Sequence, residues 1–388
     1  MLSQGTISSF LLPDALWMPG YPVFLAVLVW LKMSLSAMVF VQNVLAGLTA
    51  VMIYWLGVKV FNSPFVGIVA GIIFSFEPMS IYWNALLMSD NLASFLFLFS
   101  VCLFASKRYY ASAFVMGLAA LTRPINLYLF PIFLIMYVYQ YKNVIGNSIF
   151  SMVRERLFWK KIFLMACVFF FTIFPWMVRN KIQFNSWELS SDGWYALHYF
   201  ASRTFADRNN IPYSWPPVNS DYYSKYPNDV HRLYYVEFFN VPYYKKYLFD
   251  LISQRPADFA KFHFISVLKG FDNHDYRYIV RYVLLAKVPQ FNTSVANALI
   301  GVGQGVWIIL FGFAAVGFLV KGKREWQFFF ISFYLANTLL MGYVGTVTAG
   351  GRYNLPFLPL TLLVASYGGF LLFKRKKQLC FLNDAYVQ

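Results

Sequence analysis

The sequence predicts an all-α, polytopic membrane protein: a bundle of transmembrane helices carrying one large external loop. Three observations support this. Of 388 residues, 59% are hydrophobic, 21% aromatic and only 12% charged, which is not the composition of a soluble globular domain. Apolar runs long enough to cross a bilayer recur along most of the chain. These runs do not alternate apolar with polar residues, as the strands of a membrane β-barrel would.

Residues 1–31 contain no Lys or Arg, so they hold no signal-peptide n-region, and their only charge is Asp14. The run from Phe10 to Leu31 is apolar but is interrupted by Pro13, Asp14, Pro19, Gly20 and Pro22. Residues 1–37 therefore read as part of an external loop that lies on, or dips into, the membrane interface. Within it, Pro19-Gly20 forms a turn that presents Tyr21, and Pro22 suits the first turn of a helix. Spans are expected at residues 38–60, 64–82 and 91–105. The next apolar stretch, 110–141, is divided at Arg123-Pro124 and reads as two spans with a hinge. At ~1.5 Å per residue, 110–122 covers only about 20 Å of a core roughly 30 Å thick. Arg123 is thus expected below the outer surface, inside the protein. A further span covers 162–178, a polar and aromatic stretch follows at 180–295, and the last spans fall at 296–320, 326–345 and 354–373.

Basic residues orient these spans. Lys59, Lys107-Arg108, the 142–161 segment, Lys321, Lys323, Arg324 and the terminal Lys374-Arg375-Lys376-Lys377 fall on one side when the spans alternate, and that side is the cytoplasm. The expected organisation is a partial external loop (1–37), an N-terminal bundle (38–179), an external loop domain (180–295), C-terminal helices (296–373) and a cytoplasmic tail (374–388). The net charge of +16 is accounted for by the cytoplasmic loops and by the basic external segment, so no nucleic-acid partner is implied. Residues 229–270 of the loop carry helical patterning, with aromatic and Lys-rich faces of the kind that lie along a membrane surface. Cys102 and Cys167 lie in apolar runs and Cys380 in the tail, so no structural disulfide is expected.

Ionisable groups at membrane depth are costly, which makes them candidates for function. Outside the long loop and the cytoplasmic segments the acids are Asp14, Glu77 and Asp90, and the cations are Lys32, Arg123, Arg352 and the boundary pair Arg179 and Lys181. Each has a plain structural alternative. Glu77 can snorkel to the interface or pair with Arg123. Asp90 suits a helix N-cap. Arg123 can serve carbonyls freed at the helix break, while Arg352 and Arg179 can anchor helix ends. Glycines beside Arg352 let the backbone approach a ligand, and Arg suits phosphate. Asp272, His274 and Asp275 are metal-ligand types, but no second cluster supports a metal, and a solvated turn is expected. The loop aromatics Trp194, Tyr195, Tyr199, Trp215, Tyr222 and Tyr223 can stack on sugars or sit among lipid headgroups. No Walker A loop, GxGxxG, HExxH, GxSxG or CxxC is present.

Five segments in order resemble the GT-C superfamily of polytopic glycosyltransferases, in particular the bacterial branch related to dolichyl-phosphate-mannose–protein mannosyltransferases. They are Pro19-Gly20-Tyr21-Pro22, Leu87-Met88-Ser89-Asp90, Gly117-Leu118-Ala119-Ala120-Leu121-Thr122-Arg123-Pro124, Pro175-Trp176-Met177-Val178-Arg179-Asn180 and Arg352-Tyr353-Asn354-Leu355-Pro356. The resemblance implies a GT-C-like bundle in a bacterial inner membrane, with the large loop in the periplasm. It implies transfer of a sugar from a polyprenyl-phosphate carrier to a lipid, glycan or protein acceptor, without a cofactor. Arg123 and Arg352 would meet the phosphate, with Arg179 third, and Tyr21 and Tyr353 would help bind substrate. A carboxylate would act as base. The sequence departs from the family pattern in one place: only 18 residues precede Pro19, with Asp14 their sole acid, where the family has a first transmembrane helix and an acidic loop. Either the chain begins late, or the base falls to Glu77, Asp90 or Asp14, or the protein is a truncated, inactive homologue. Two other readings stand beside this one: an O-antigen polymerase or ligase using a lipid-diphosphate donor, and a glycolipid transporter.

Overall fold

The computed structural model describes residues 17–145, 155–214, 240–271, 280, 293–319, 324–344 and 357–386. Among the described residues the chain is helical and contains no strand.

Local chemistry sets most helix ends. Helix α1 (Gly20–Trp30) begins after Pro19 and carries Pro22 in its first turn, where a missing N–H breaks no helical bond. Ser34 caps α2 (Leu35–Phe61), which ends at Asn62 in the left-handed region with φ 52°. Ser63 then caps α3 (Pro64–Phe76), with Pro64 at its start. The two helices form a tight hairpin, and Gly57 and Gly67 meet backbone to backbone in it. The span expected at 64–82 is not continuous. Pro78 disfavours helical backbone at the residue before it, so Glu77 is extended and a new short helix, α4 (Pro78–Asn84), starts there. Helix α5 (Ser89–Ala105) and helix α6 (Tyr109–Thr122) form a second hairpin.

The helix breaks at Arg123-Pro124: Arg123 is extended (φ −143°, ψ 127°), and α7 (Ile125–Ile145) follows. Helix α8 (Arg156–Phe184) runs past Arg179 and Asn180 to Asn185, longer than the expected 162–178. Pro175 lies inside it without ending it. The C-terminal helices are α13 (Thr293–Leu319), α14 (Arg324–Val344) and α15 (Leu358–Tyr386), the last continuing beyond residue 373. They close against the N-terminal hairpins, with α15 along α3 and α14 along α7.

Among the described residues, three helices are long and apolar enough to cross a membrane: Leu35–Phe61, Arg156–Phe184 and Asn297–Gly317. The exterior supports that reading. Phe65, Ile68, Ile72 and Phe76 form an exposed stripe on α3, as do Phe40, Val44, Leu48 and Val51 on α2. Buried instead are Gln42, Thr49, Ser100, Ser112 and Asn126. Apolar groups outside and hydrogen-bonding groups inside suit a lipid solvent.

Between α8 and α13 lies an outer body with its own core. It comprises α9 (Asp192–Ala196), a π-helical turn (Leu197–Ser202), α10 (Arg203–Arg208), α11 (Val241–Gln254) and α12 (Pro256–Phe271). The last two fall in the stretch with helical patterning, and α12 leans on α14. Leu197, Ala201, Phe205, Leu248, Leu251, Phe259 and Phe262 pack together there. Beside them His198 is buried among tyrosines. Its Nδ1 shares a 2.9 Å hydrogen bond with the Tyr213 hydroxyl, and the rings of Tyr244, Tyr213 and Tyr247 lie 4.7, 5.0 and 5.1 Å away. Arg203 sits over Tyr199 and Tyr213 and pairs with Asp207. Burial pushes His198 down to about 4, against a smaller opposing effect of a Ser214 backbone hydrogen bond. The unfolded chain takes up this proton first, near pH 6.5, so this body loses stability as pH falls from there towards 4. The expected loss is about 2 kcal/mol by pH 5. Hydrogen exchange across residues 192–208 at pH 7 and pH 5 checks this against His198→Phe, which should show a flatter response. Equal slopes in the two proteins would remove His198 as the cause.

Candidate functional site

The turn expected at Pro19-Gly20 is instead the start of α1, with Pro19 as its N-cap and Gly20 as its first residue, and it rests on the end of α6. A Cβ on Gly20 would meet Thr122 Oγ1 at 2.6 Å and the Leu121 carbonyl at 2.8 Å, so only glycine allows this approach. The contact aims Tyr21 inward, and its hydroxyl donates to Gln42 Oε1 at 2.6 Å. Gln42, 0% exposed in the middle of apolar α2, acts as a hub. Its Nε2 donates to the Leu86 carbonyl at 2.8 Å and the Asn84 carbonyl at 3.4 Å. Its own backbone carbonyl accepts from Asn91 Nδ2 at 2.5 Å. Tyr21, the α4–α5 connection and the first turn of α5 are thereby tied to one residue.

Next to Asn91 stands Asp90, whose side chain is 1% exposed and pairs with Arg123, 13% exposed. The N-cap alternative for Asp90 is corrected: Met88 holds the cap position without a side-chain bond, and Asp90 lies in the first turn. A carboxylate there is favoured by the helix dipole, and the guanidinium removes most of its burial penalty. Asn126 completes the break. Its Nδ2 donates to the Ala119 carbonyl at 3.1 Å and to the Arg123 carbonyl at 3.4 Å. Asn126 thus braces the break at the Ala119 and Arg123 carbonyls, and the Arg123 guanidinium is directed at Asp90. Asp90's charge also reaches the Tyr21 hydroxyl, so three segments distant in sequence meet here.

Glu77 does not snorkel. It is buried and caps α4, with its Oε2 accepting from the Ser80 N–H at 2.5 Å. Arg179 is held by aromatics on the last turns of α8: its guanidinium lies 4.5 Å from the Trp176 ring and 5.2 Å from the Phe184 ring. Its NH1 donates to Asn180 Oδ1 at 2.8 Å. Asp14, Arg352 and Tyr353 lie outside the described residues, as do Trp215, Tyr222, Tyr223, Asp272, His274 and Asp275.

A second feature adjoins α8. Trp176 Nε1 donates to the Leu189 carbonyl at 2.9 Å, and Asn180 Nδ2 donates to the same carbonyl at 3.0 Å and to the Glu188 carbonyl at 2.8 Å. The chain leaving α8 is thus folded back onto it, and Glu188 is fixed there. Glu188 Oε1 accepts from Lys245 Nζ at 2.5 Å, and Lys245 lies 4.8 Å from the Trp194 ring. Tyr128, on the first turn of α7, is within electrostatic reach of Glu188.

Attention to ionisable groups in the apolar spans misses Gln42, Asn126 and Glu188. Gln42 and Asn126 are uncharged, and Glu188 belongs to the polar loop. The usable signal is an amide side chain inside an apolar run, alone at Asn126 and beside Asn43 at Gln42. Glu188 has no such signal, because Lys245 is distant in sequence. Comparison of the chain with family models, curated proteins and solved structures gives no match.

Proposed function

We propose that this chain is an integral-membrane glycosyltransferase of the GT-C type. In this reading it moves a sugar from a polyprenyl-phosphate carrier to an acceptor on the external face of a bacterial inner membrane. The spans form the bundle, and the outer body around His198 faces the periplasm. The observation that carries the reading is the meeting of Tyr21, Asp90 and Arg123 around the Gln42 hub. These residues come from three of the five segments on which the family resemblance rests.

The chemistry asked of the site follows from its parts. Sugar transfer from a lipid phosphate leaves a phosphate monoester that gains charge as the glycosidic bond breaks, and a fixed cation at that oxygen lowers the barrier. Arg123 carries a planar guanidinium with five N–H donors in a rigid fork, a geometry suited to phosphate oxygens. Asp90 acts here as the group that orients Arg123. Glu77 holds the α3–α4 break. No nucleotide or metal is required.

The test is an assay of the purified protein in lipid nanodiscs with a panel of polyprenyl-phosphate hexoses and pentoses. Saturable binding and release of polyprenyl phosphate are expected. Turnover of lipid-diphosphate donors alone would assign the protein to the polymerase or ligase class. Movement of intact glycolipid between leaflets without bond cleavage would make it a transporter.

A further inference from the structure

The proposed reaction needs a base, and the paired Asp90 and the capping Glu77 are poorly placed to supply one. We propose that Glu188 is the acceptor-side carboxylate, and that it takes the proton of a neutral hydroxyl acceptor. This inference rests on the glycosyltransferase reading and names the acceptor half of the same site.

Three observations carry it. The first is rigidity: Trp176 and the buried Asn180 hold the backbone on both carbonyls that flank the Glu188–Leu189 peptide. A base must be held to a fraction of an ångström, and side chains on a clamped backbone meet that need better than a free loop does. The second is an open valence. Glu188 Oε1 is engaged by Lys245, whereas Oε2 is shielded from solvent and has no hydrogen-bond partner among the described residues. A shielded carboxylate oxygen without a donor is unfavourable, and an acceptor O–H supplies the missing donor. The third is place. Tyr128, on the first turn of α7, lies five residues beyond Arg123, and Glu188's charge reaches it. Glu188 and Arg123 are therefore both tied to the start of α7.

The step balances. The acceptor oxygen bonds to the sugar anomeric carbon as its proton passes to Glu188 Oε2. The bond from that carbon to the phosphate oxygen breaks, and its electron pair leaves with the polyprenyl phosphate on the Arg123 side. Glu188 is 28% exposed and returns the proton to water. Its negative charge selects against anionic acceptors, so a neutral alcohol such as a sugar hydroxyl is the acceptor class.

Two variants that break the same ion pair test this. Glu188→Gln and Lys245→Met both remove the contact, but only the first removes the base. With polyprenyl-phosphate sugar as donor and a neutral alkyl glycoside as acceptor, Glu188→Gln should bind donor as the wild type does. Its transfer should fall about 100-fold or more. Lys245→Met should keep transfer within about tenfold, because the carboxylate that takes the proton remains. Equal losses in both variants would show a structural ion pair, and wild-type transfer by Glu188→Gln would exclude the base; either result overturns the proposal. Failure of the wild-type protein to bind any monophosphate donor would refute the glycosyltransferase reading itself, and this inference with it.

Discussion

Replacing Arg123 with alanine is expected to abolish sugar transfer and to destabilise the bundle by about 3–5 kcal/mol, the usual result of removing one partner of a buried ion pair. The cost comes chiefly from what remains. Asp90 is 1% exposed, and without the guanidinium its buried charge loses the cation that offsets its removal from water. Two effects are therefore superimposed in one variant, and a second protein separates them. Asp90→Asn combined with Arg123→Gln replaces the ion pair by an amide pair that can still hydrogen-bond. It should recover most of the stability, because no buried charge is left, and none of the transfer, because no cation faces the phosphate. Arg123→Lys should keep the charge but lose the planar fork, giving weak transfer at near-normal stability. Thermal unfolding in nanodiscs and donor turnover are the two readouts. Wild-type turnover by the double variant would remove Arg123 from the mechanism, whatever the stabilities.

The second large effect is expected far from any charge. Gly67→Ala should destabilise the protein by about 2–3 kcal/mol, at the upper end of the range for overpacking. A Cβ on Gly67 would lie 2.5 Å from the Tyr54 carbonyl oxygen and 2.9 Å from the Tyr54 Cα, and one on Gly57 would lie 2.4 Å from the Gly67 Cα. These neighbours are all backbone, so no rotamer change relieves the clash and the α2–α3 hairpin must open. Opening it displaces α2, which carries Gln42, and α3, which ends at Glu77. Some loss of the site's geometry should accompany the loss of stability. Gly47 is the control. It lies in the same helix with nothing within 4 Å of its Cβ position. Gly47→Ala should be neutral or stabilising by up to about 1 kcal/mol, since alanine favours helix over glycine. A melting temperature unchanged in Gly67→Ala would show that the hairpin tolerates a wider separation than its backbone contact implies.

Some of this architecture is legible locally. Pro22 in the first turn of α1, the Arg123-Pro124 break and the helical patterning realised in Val241–Gln254 and Pro256–Phe271 follow from backbone chemistry within a few residues. A proline removes a donor and restricts its predecessor wherever it stands. The same rule was available at Phe76-Glu77-Pro78, where reading 64–82 as one span weighed hydropathy above the proline. There the charge of Glu77 suggested a residue seeking water, yet its nearest need was the Ser80 N–H three residues on. Length and apolar composition likewise sufficed for an all-helical chain with helices able to cross a bilayer.

The partners were not legible, and the reason is the solvent. In water, hydrophobic periodicity tells which face of a helix is buried. In lipid the outer face is as apolar as the inner one, so α2 and α3 show no stripe that says where they pack. What selects the packed face is the close approach allowed by Gly57 and Gly67, and the rare hydrogen-bonding side chains such as Gln42 and Asn126. The amino-acid sequence alone determined a helical membrane-type chain, the positions of its proline breaks and a short list of costly charges. Only the tertiary structure decided that Asp90 answers Arg123, that Glu188 answers Lys245 and that Gln42 joins Tyr21 to Asn91. Those pairings span 33, 57 and 49 residues, a separation at which neither helical period nor local capping carries information.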